Sequence, residues 1–127
     1  MSHNPVGWFE IYVQDLDRAK AFYEAVFKVA LNKLDSPTPV PGLEMLAFPM
    51  NMEGNGASGA IVKMEGCPSG GMGTLVYFSC EDCAIEASRV EAAGGSVCKP
   101  KMSIGEYGFI ALVMDTEGNM IGLHSMN

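Results

Sequence analysis

Apolar and polar residues alternate over residues 8–13, which is the spacing of a strand with two different faces. One face carries Phe9, Ile11 and Val13, and the other carries Trp8, Glu10 and Tyr12. After Asp15, the apolar positions recur at intervals of three and four, which favours a helix capped by that aspartate. The pattern therefore predicts a strand, a short turn and an amphipathic helix through Leu16, Ala19, Phe22, Tyr23, Val26 and Phe27.

Loops and short strands are predicted through the middle of the chain. Three prolines within residues 36–42 exclude a helix interior or a central strand, so this segment is predicted to be a loop. Residues 45–50 and 58–64 look like strands, joined by a segment rich in glycine and asparagine. A Gly-rich stretch at residues 66–73 then predicts a linker between two halves.

The second half of the chain repeats the pattern of the first. Residues 75–80 predict a strand, Asp82 a cap and residues 84–93 a helix, with further strands at residues 96–99, 109–114 and 119–125.

An alignment of the sequence with itself that matches Asp15 to Asp82 also matches Glu24 to Glu91 and Ala25 to Ala92. The matching order of elements predicts a tandem repeat. We expect an α+β fold of one domain over residues 1–127, in which two βαβββ modules, about residues 5–65 and 73–126, form a curved mixed sheet with a central cleft.

The strand faces that point away from the helices supply the candidate site. In the last strand, Ile121 and Leu123 are predicted to face the core, so Met120, Gly122 and His124 face the cavity. Candidate ligand contacts are therefore Trp8, Tyr12, Tyr77, Tyr107, Met120 and Gly122.

Glu10 and His124 are the polar candidates for chemistry on this face. They are suited to a proton-transfer pair or, with further ligands, to a displaced metal site. The alternative for His124 is a hydrogen-bonded structural residue.

Two other segments carry reactive side chains. The loop at residues 104–109 places Glu106 as a proton acceptor and Tyr107 as a stacking face, or it is an ordinary turn. Cys80 and Cys83 form a CxxC pattern at a helix start, where redox or zinc chemistry is the alternative to plain thiols. Zinc would need two more ligands, and Cys67 and Cys98 are not spaced to supply them.

Composition limits the partners. A net charge of -7 repels phosphate, so we expect no nucleic acid partner, and no apolar run is long enough to predict a membrane span. The first residues carry no basic segment followed by an apolar one, so neither a signal nor a transit peptide is expected. The expected location is therefore cytoplasmic, with four reduced cysteines.

Three segments resemble the vicinal oxygen chelate superfamily, which includes glyoxalase I, bleomycin and fosfomycin resistance proteins and extradiol dioxygenases. Residues 11–23 resemble its strand-Asp-helix-Phe-Tyr opening, residues 90–97 the end of its second helix and residues 115–123 its closing Asp-x-x-Gly-x-x-Ile-Glu-Leu. The resemblance implies the two-module fold, a homodimer, and a divalent metal held by His or Glu on inner strands of both halves.

The positions at which the superfamily resemblance implies metal ligands hold other residues in this sequence. The first-strand His falls at Trp8, the last-strand Glu at Gly122, the fourth-strand ligand near residues 60–62 and the fifth near Thr74 or Leu75. Only Thr74 offers a side-chain ligand atom, and a poor one. We therefore expect no resident cofactor, although a divalent metal on a non-standard site stays open.

Two functions follow from the resemblance. The first is a glyoxalase/bleomycin-resistance-like protein that binds a small organic molecule in the cavity without the metal. The alternative is an enzyme of the lyase, isomerase or dioxygenase type that acts on a small carbonyl compound. In that case Glu10 or Glu106 is the base and His124 its partner.

Overall fold

The computed structural model describes residues 3–36, 40–71 and 73–127. The order strand, helix and three strands occurs twice, which confirms the α+β class and the predicted βαβββ repeats. The first repeat consists of β1 (Val6–Tyr12), α1 (Leu16–Phe27), β2 (Asn32–Lys33), β3 (Leu43–Ala47) and β4 (Ser58–Met64). The second consists of β5 (Thr74–Ser79), α2 (Cys83–Arg89), β6 (Ser96–Ser103), a 3₁₀ turn (Gly105–Tyr107), β7 (Phe109–Met114) and β8 (Met120–Ser125).

The described residues divide into two compact units with the same strand arrangement. The first unit is Trp8–Thr74, and the second combines the segment ending at Gly7 with Leu75–Asn127. Strands of the first unit lie in the order β2-β3-β4-β1, and those of the second in the order β5-β8-β7-β6. In each, the first and last strands of the repeat pair in parallel, while the other pairs are antiparallel.

Helix α1 has the bounds and the cap that the sequence predicts. The Asp15 carboxylate accepts a hydrogen bond from the Arg18 N–H at 3.0 Å. The helix ends at Phe27 and is capped by Lys28, whose φ of 55° is left-handed. Tyr23 packs edge-on against Phe48, at 5.7 Å between ring centroids. The apolar stripe is only partly covered, because Phe22, Val26 and Phe27 remain 58%, 54% and 59% exposed.

Helix α2 begins as predicted but ends early. Asp82 accepts from the Ala84 N–H at 3.0 Å and forms an ion pair with Lys101 at 2.8 Å, which lowers the pKa of Asp82. The predicted end at residue 93 is wrong, since the helix stops at Arg89. Beyond Arg89 the backbone forms turns as far as Gly94. The Ala93 N–H donates a hydrogen bond to both Arg89 O and Val90 O, so an i→i−3 contact joins the helical i→i−4 one.

The helix-facing side of the second sheet forms a core of Cys83, Ala111, Val113 and Leu123, with Phe78 and Ile121 packed against it. This confirms the predicted orientation of Ile121 and Leu123. In the first unit, Ala60, Ile61 and Val62 on β4 are almost fully buried.

Three strands differ clearly from the sequence prediction. One is β3, which covers Leu43–Ala47 instead of residues 45–50, and the others are β2 and β6. The two-residue β2 was not predicted, and β6 continues through Pro100 to Ser103 instead of ending at residue 99. β6 lies at the end of the strand order and pairs with β7 through two irregularities, positions at which a sheet tolerates proline.

Parts of both predicted loops lie outside the described residues: 37–39 of the loop at 36–42, and residue 72 of the Gly-rich stretch. Among the helices in the described ranges, none is long and apolar enough to cross a membrane.

Candidate functional site

A carboxylate lies at the centre of the β1 face that points away from α1. The Glu10 Oε2 atom accepts a hydrogen bond from the Trp8 indole N–H at 3.2 Å, and Oε1 accepts one from the Tyr12 hydroxyl at 2.8 Å. The residues alternate along one strand, so their side chains share one face as predicted. The opposite face of β1 holds Phe9, whose ring lies 5.6 Å from that of Phe48.

The surroundings of Glu10 are largely apolar. The parallel register places Trp8 beside Ser58, Glu10 beside Ala60 and Tyr12 beside Val62. Burial raises the pKa of the Glu10 carboxyl, and the hydrogen bonds from Tyr12 and Trp8 oppose that rise. Glu10 is therefore a stronger base than an exposed glutamate, held in position by two donors. Each of its oxygens keeps a lone pair for a ligand.

The second unit has an equivalent face on the side away from α2. In the parallel pair of β5 and β8, Tyr77 lies beside Gly122 and Ser79 beside His124. Met120 occupies the same face two residues before Gly122. On β7, Ile110 pairs with His124 and Leu112 with Gly122. This face is thus apolar except near His124 and Ser79, a neighbour that the sequence analysis did not single out.

Tyr77 covers Gly122. A Cβ atom built on Gly122 would overlap the Cδ1 and Cε1 atoms of the Tyr77 ring and lie 2.7 Å from its Cγ. Tyr77 itself is 7% exposed. The ring therefore fills the space that a side chain at position 122 would need, and Gly122 presents no side chain of its own.

His124 is anchored to the loop that precedes β7. Its Nε2 atom lies 2.6 Å from the backbone carbonyl of Tyr107, so the ring donates its Nε2–H there and leaves Nδ1 for other contacts. The Tyr107 side chain is 43% exposed, and Glu106 is exposed on the same 3₁₀ turn. This hydrogen bond connects His124 to the predicted loop, and both a functional and a structural role for His124 stay predictions.

The two polar candidates lie in different units. Glu10 belongs to the first unit and His124 to the second. Their action as a pair stays a prediction.

A model of the Glyoxalase/Bleomycin resistance protein/Dioxygenase superfamily matches residues 6–123. The chain belongs to this superfamily. The match confirms the resemblance found in the sequence.

Two mycobacterial proteins are similar to this chain at low identity. Proteins of Mycobacterium bovis and Mycobacterium tuberculosis that bear the name "Putative glyoxylase CFP32" are 28% identical over 123 residues, which is 95% of this chain and 45% of theirs. The chain thus spans about half the length of these relatives.

Solved structures share the superfamily fold. A variant of Streptomyces coelicolor methylmalonyl-CoA epimerase in complex with 2-nitronate-propionyl-CoA is similar with a TM-score of 0.71 and 19% identity, covering 98% of each chain. A hypothetical protein of Bacillus halodurans is similar with a TM-score of 0.73 and 11% identity, covering 100% of this chain and 96% of that one. At these identities the likeness shows the fold alone.

The positions to which the superfamily resemblance assigns metal ligands do not fit a metal ion. Gly122 has no side chain, Trp8 and residues 60–62 have no suitable donor, and Leu75 is buried and apolar. Across residues 3–36, 40–71 and 73–127, no group of three or more His, Cys, Asp and Glu side chains is placed to hold one.

The CxxC pattern lies on the core side of the second unit, away from the His124 face. Cys83 is fully buried at the start of α2, and its N–H donates to the Ser125 hydroxyl at 2.9 Å. Burial and the nearby Glu86 raise the pKa of Cys80 to about 11. This opposes the lowered thiol pKa that a redox cysteine at a helix start requires.

Cys80 is accordingly expected to alkylate slowly. Because its thiolate is scarce near neutral pH, its reaction with iodoacetamide should accelerate about tenfold per pH unit up to its pKa of about 11. Peptide mass spectrometry after timed alkylation measures this rate, with the exposed Cys98 as the internal reference. Labelling of Cys80 as fast as Cys98 at pH about 7.5 would contradict the assignment.

One surface cavity in the first unit was not predicted from the sequence. It is a shallow surface cavity of about 410 Å³ beside the start of α1. Its lining mixes apolar side chains with one carboxylate and one guanidinium: Val13, Gln14, Asp15, Arg18, Ala19, Phe22, Tyr23 and Ser69.

Proposed function

We propose that this superfamily member binds a small organic molecule against the Trp8–Glu10–Tyr12 face of its first unit, without the metal that the resemblance implies. The observation that carries the proposal is the Glu10 carboxylate, which receives a hydrogen bond on each oxygen from aromatic side chains on the same strand. The carboxylate is partly buried, and its removal from water costs free energy that hydrogen-bond donors offset. Its spare lone pairs suit a ligand with an N–H or O–H donor or a positive charge.

The aromatic neighbours define the rest of the recognition. Indole and phenol rings offer large apolar surfaces that attract planar or cationic groups. Ala60 and Val62 on the adjacent strand are almost fully buried, so the surface that this face offers to a ligand comes from Trp8, Glu10 and Tyr12. We therefore expect a ligand with one polar group aimed at Glu10 and an apolar or aromatic body.

Tryptophan fluorescence tests the proposal directly, because Trp8 is the single tryptophan of the chain. A panel of small carbonyl compounds, carboxylic acids and organic ammonium ions is titrated, and hits are repeated by calorimetry. A true ligand changes the Trp8 emission and binds more weakly to Glu10→Gln. Hits that bind both proteins equally, or a panel without hits, would argue against the site.

A second function is favoured by the raised pKa of Glu10, which suits a general base. The base would take a proton from the carbon beside a carbonyl group. The bond's electron pair would move to the carbonyl oxygen to form an enolate, and the proton would return from Glu10 to carbon. Related structures described as epimerases of a CoA thioester share this fold. His124 or Glu106 would then act as a partner acid or base.

Isotope exchange separates the two functions. A ligand found by fluorescence is incubated with the protein in heavy water, and deuterium at the carbon beside its carbonyl is measured by mass spectrometry. Exchange that Glu10→Gln abolishes and Glu44→Gln preserves indicates catalysis, since Glu44 is an exposed glutamate on β3 of the same unit. Binding without exchange indicates that the protein binds the ligand and does not act on it.

We also propose that the protein is a homodimer located in the cytoplasm. Light scattering tests the homodimer, and cell fractionation tests the location.

A further inference from the structure

The two repeats place a large and a small residue side by side at the same position. In the first unit, Glu10 on β1 pairs with Ala60 on β4. In the second, Tyr77 on β5 pairs with Gly122 on β8. Each pair joins the first and last strands of its repeat on the face away from the helix. The small residues therefore lie where the superfamily resemblance places metal ligands, at residues 60–62 and at Gly122.

Contact geometry shows what the small residue permits in the second unit. A Cβ atom on Gly122 would overlap the Tyr77 ring and approach its Cγ to 2.7 Å. The Cγ atom is fixed to the tyrosine Cβ, so it cannot withdraw as the end of a flexible side chain does. Tyr77 is 7% exposed and has little room in which to change rotamer. While Tyr77 is present, position 122 is thus restricted to glycine.

We propose that Tyr77 is a specificity-determining residue that closes the second unit's face to a metal ion. Its ring occupies the volume of the carboxylate side chain that the resemblance expects at position 122. The face then offers an apolar surface in place of a ligand atom. This inference concerns the second unit alone and does not rest on the function proposed for the Glu10 face.

The rest of the face is compatible with metal binding once the ring is removed. His124 follows Gly122 by two residues and shares its face, and its Nδ1 atom is not used by the Tyr107 carbonyl. Substituting Tyr77 and Gly122 together as Y77H/G122E would set two new donors beside His124. Three protein ligands with an open position form the usual minimal set for zinc in catalytic sites.

Zinc titration of four purified proteins without a His tag tests the proposal: wild type, G122E, Y77H/G122E and Y77H/G122E/H124A. Bound metal is measured by equilibrium dialysis and plasma mass spectrometry. Y77H/G122E is expected to hold about one zinc ion per chain more than wild type or G122E. Adding H124A should weaken that binding at least about tenfold. This result distinguishes zinc held beside His124 from zinc held by the exposed Cys98, which the substitution does not change.

Two results would overturn the proposal. One is zinc binding by wild type or by folded G122E that is as tight as that of Y77H/G122E, because Tyr77 would then not close the face. The other is Y77H/G122E that keeps its fold by circular dichroism and gains no zinc, because removal of the ring would then not open it.

A stability cycle provides a test that needs no metal. G122A and Y77A are each expected to lower the melting temperature, the first by overlap with the ring and the second by leaving a void. Y77A/G122A should melt no lower than Y77A, since the added methyl group enters the vacated space. If the melting temperature of Y77A/G122A falls by the sum of the two single decreases, the Tyr77 ring is not what restricts position 122.

Discussion

Glu10→Gln is expected to weaken ligand binding at least about tenfold while leaving the protein as stable as wild type or more stable. The amide has the shape of the carboxylate, so its oxygen still accepts from Trp8 and its NH₂ group donates to the Tyr12 hydroxyl. The partly buried charge is lost, and with it both the attraction for a donor or cation and the cost of removing the charge from water. Chemical denaturation measures the stability, and the fluorescence titration measures the binding.

The stability difference should depend on pH. Burial raises the pKa of Glu10 in the folded protein above its unfolded value. The folded protein therefore keeps a proton over a range in which the unfolded chain has already lost it, and wild-type stability falls as the pH rises through that range. The glutamine variant does not titrate, so its advantage should be larger at about pH 7 than at about pH 4.

Glu44→Gln is the control for this pair of measurements, because it removes an exposed charge from the same unit. It should leave affinity unchanged and show no comparable pH-dependent gain. A Glu10→Gln protein that is strongly destabilised yet binds its ligand normally would assign Glu10 a structural role.

Gly59→Ala is expected to destabilise the first unit by about 1–3 kcal/mol or more. A Cβ atom at position 59 would overlap the backbone oxygen of Phe9 and lie 2.7 Å from its ring Cδ2. Backbone atoms of a paired strand cannot move aside independently, so β4 and β1 would have to separate. Because β1 carries Glu10, ligand binding should weaken together with stability.

Urea denaturation compares this variant with Gly54→Ala. The added methyl group at position 54 would meet mainly the exposed Asn51 side chain, at 3.2 Å from its amide nitrogen. That control should stay within about 0.5 kcal/mol of wild type. Equal effects of the two substitutions would show that the close approach of β4 to Phe9 does not constrain the fold.

Local signals account for the parts of the fold that the sequence predicted well. Asp15 and Asp82 mark both helix starts because capping depends on a few adjacent residues. The end of α2 was missed, since its last turns tighten without a proline or charge change before Gly94. The two-residue β2 has no periodicity to detect, and only its pairing with β3 makes it a strand.

The candidate site divides in the same way. Alternation along β1 was enough to place Trp8, Glu10 and Tyr12 on one face, because that property is local. The cover of Tyr77 on Gly122 depends on the register between two strands far apart in the chain, which no local pattern determines. The bond from His124 to the Tyr107 carbonyl likewise needs the folded loop.

The parallel pairing of first and last strands also governs how the chain folds. A helix and two strands separate β1 from β4 in the sequence. Bringing β1 and β4 together therefore lowers the entropy of a long loop before their contacts can stabilise the fold. The second unit also includes Pro5 from the start of the chain. Its carbonyl accepts a hydrogen bond from the Ser79 N–H of β5 at 2.8 Å. On a ribosome, the first unit can close once β4 emerges. The second must wait until β8 has been made, which leaves one edge of β5 unpaired during synthesis.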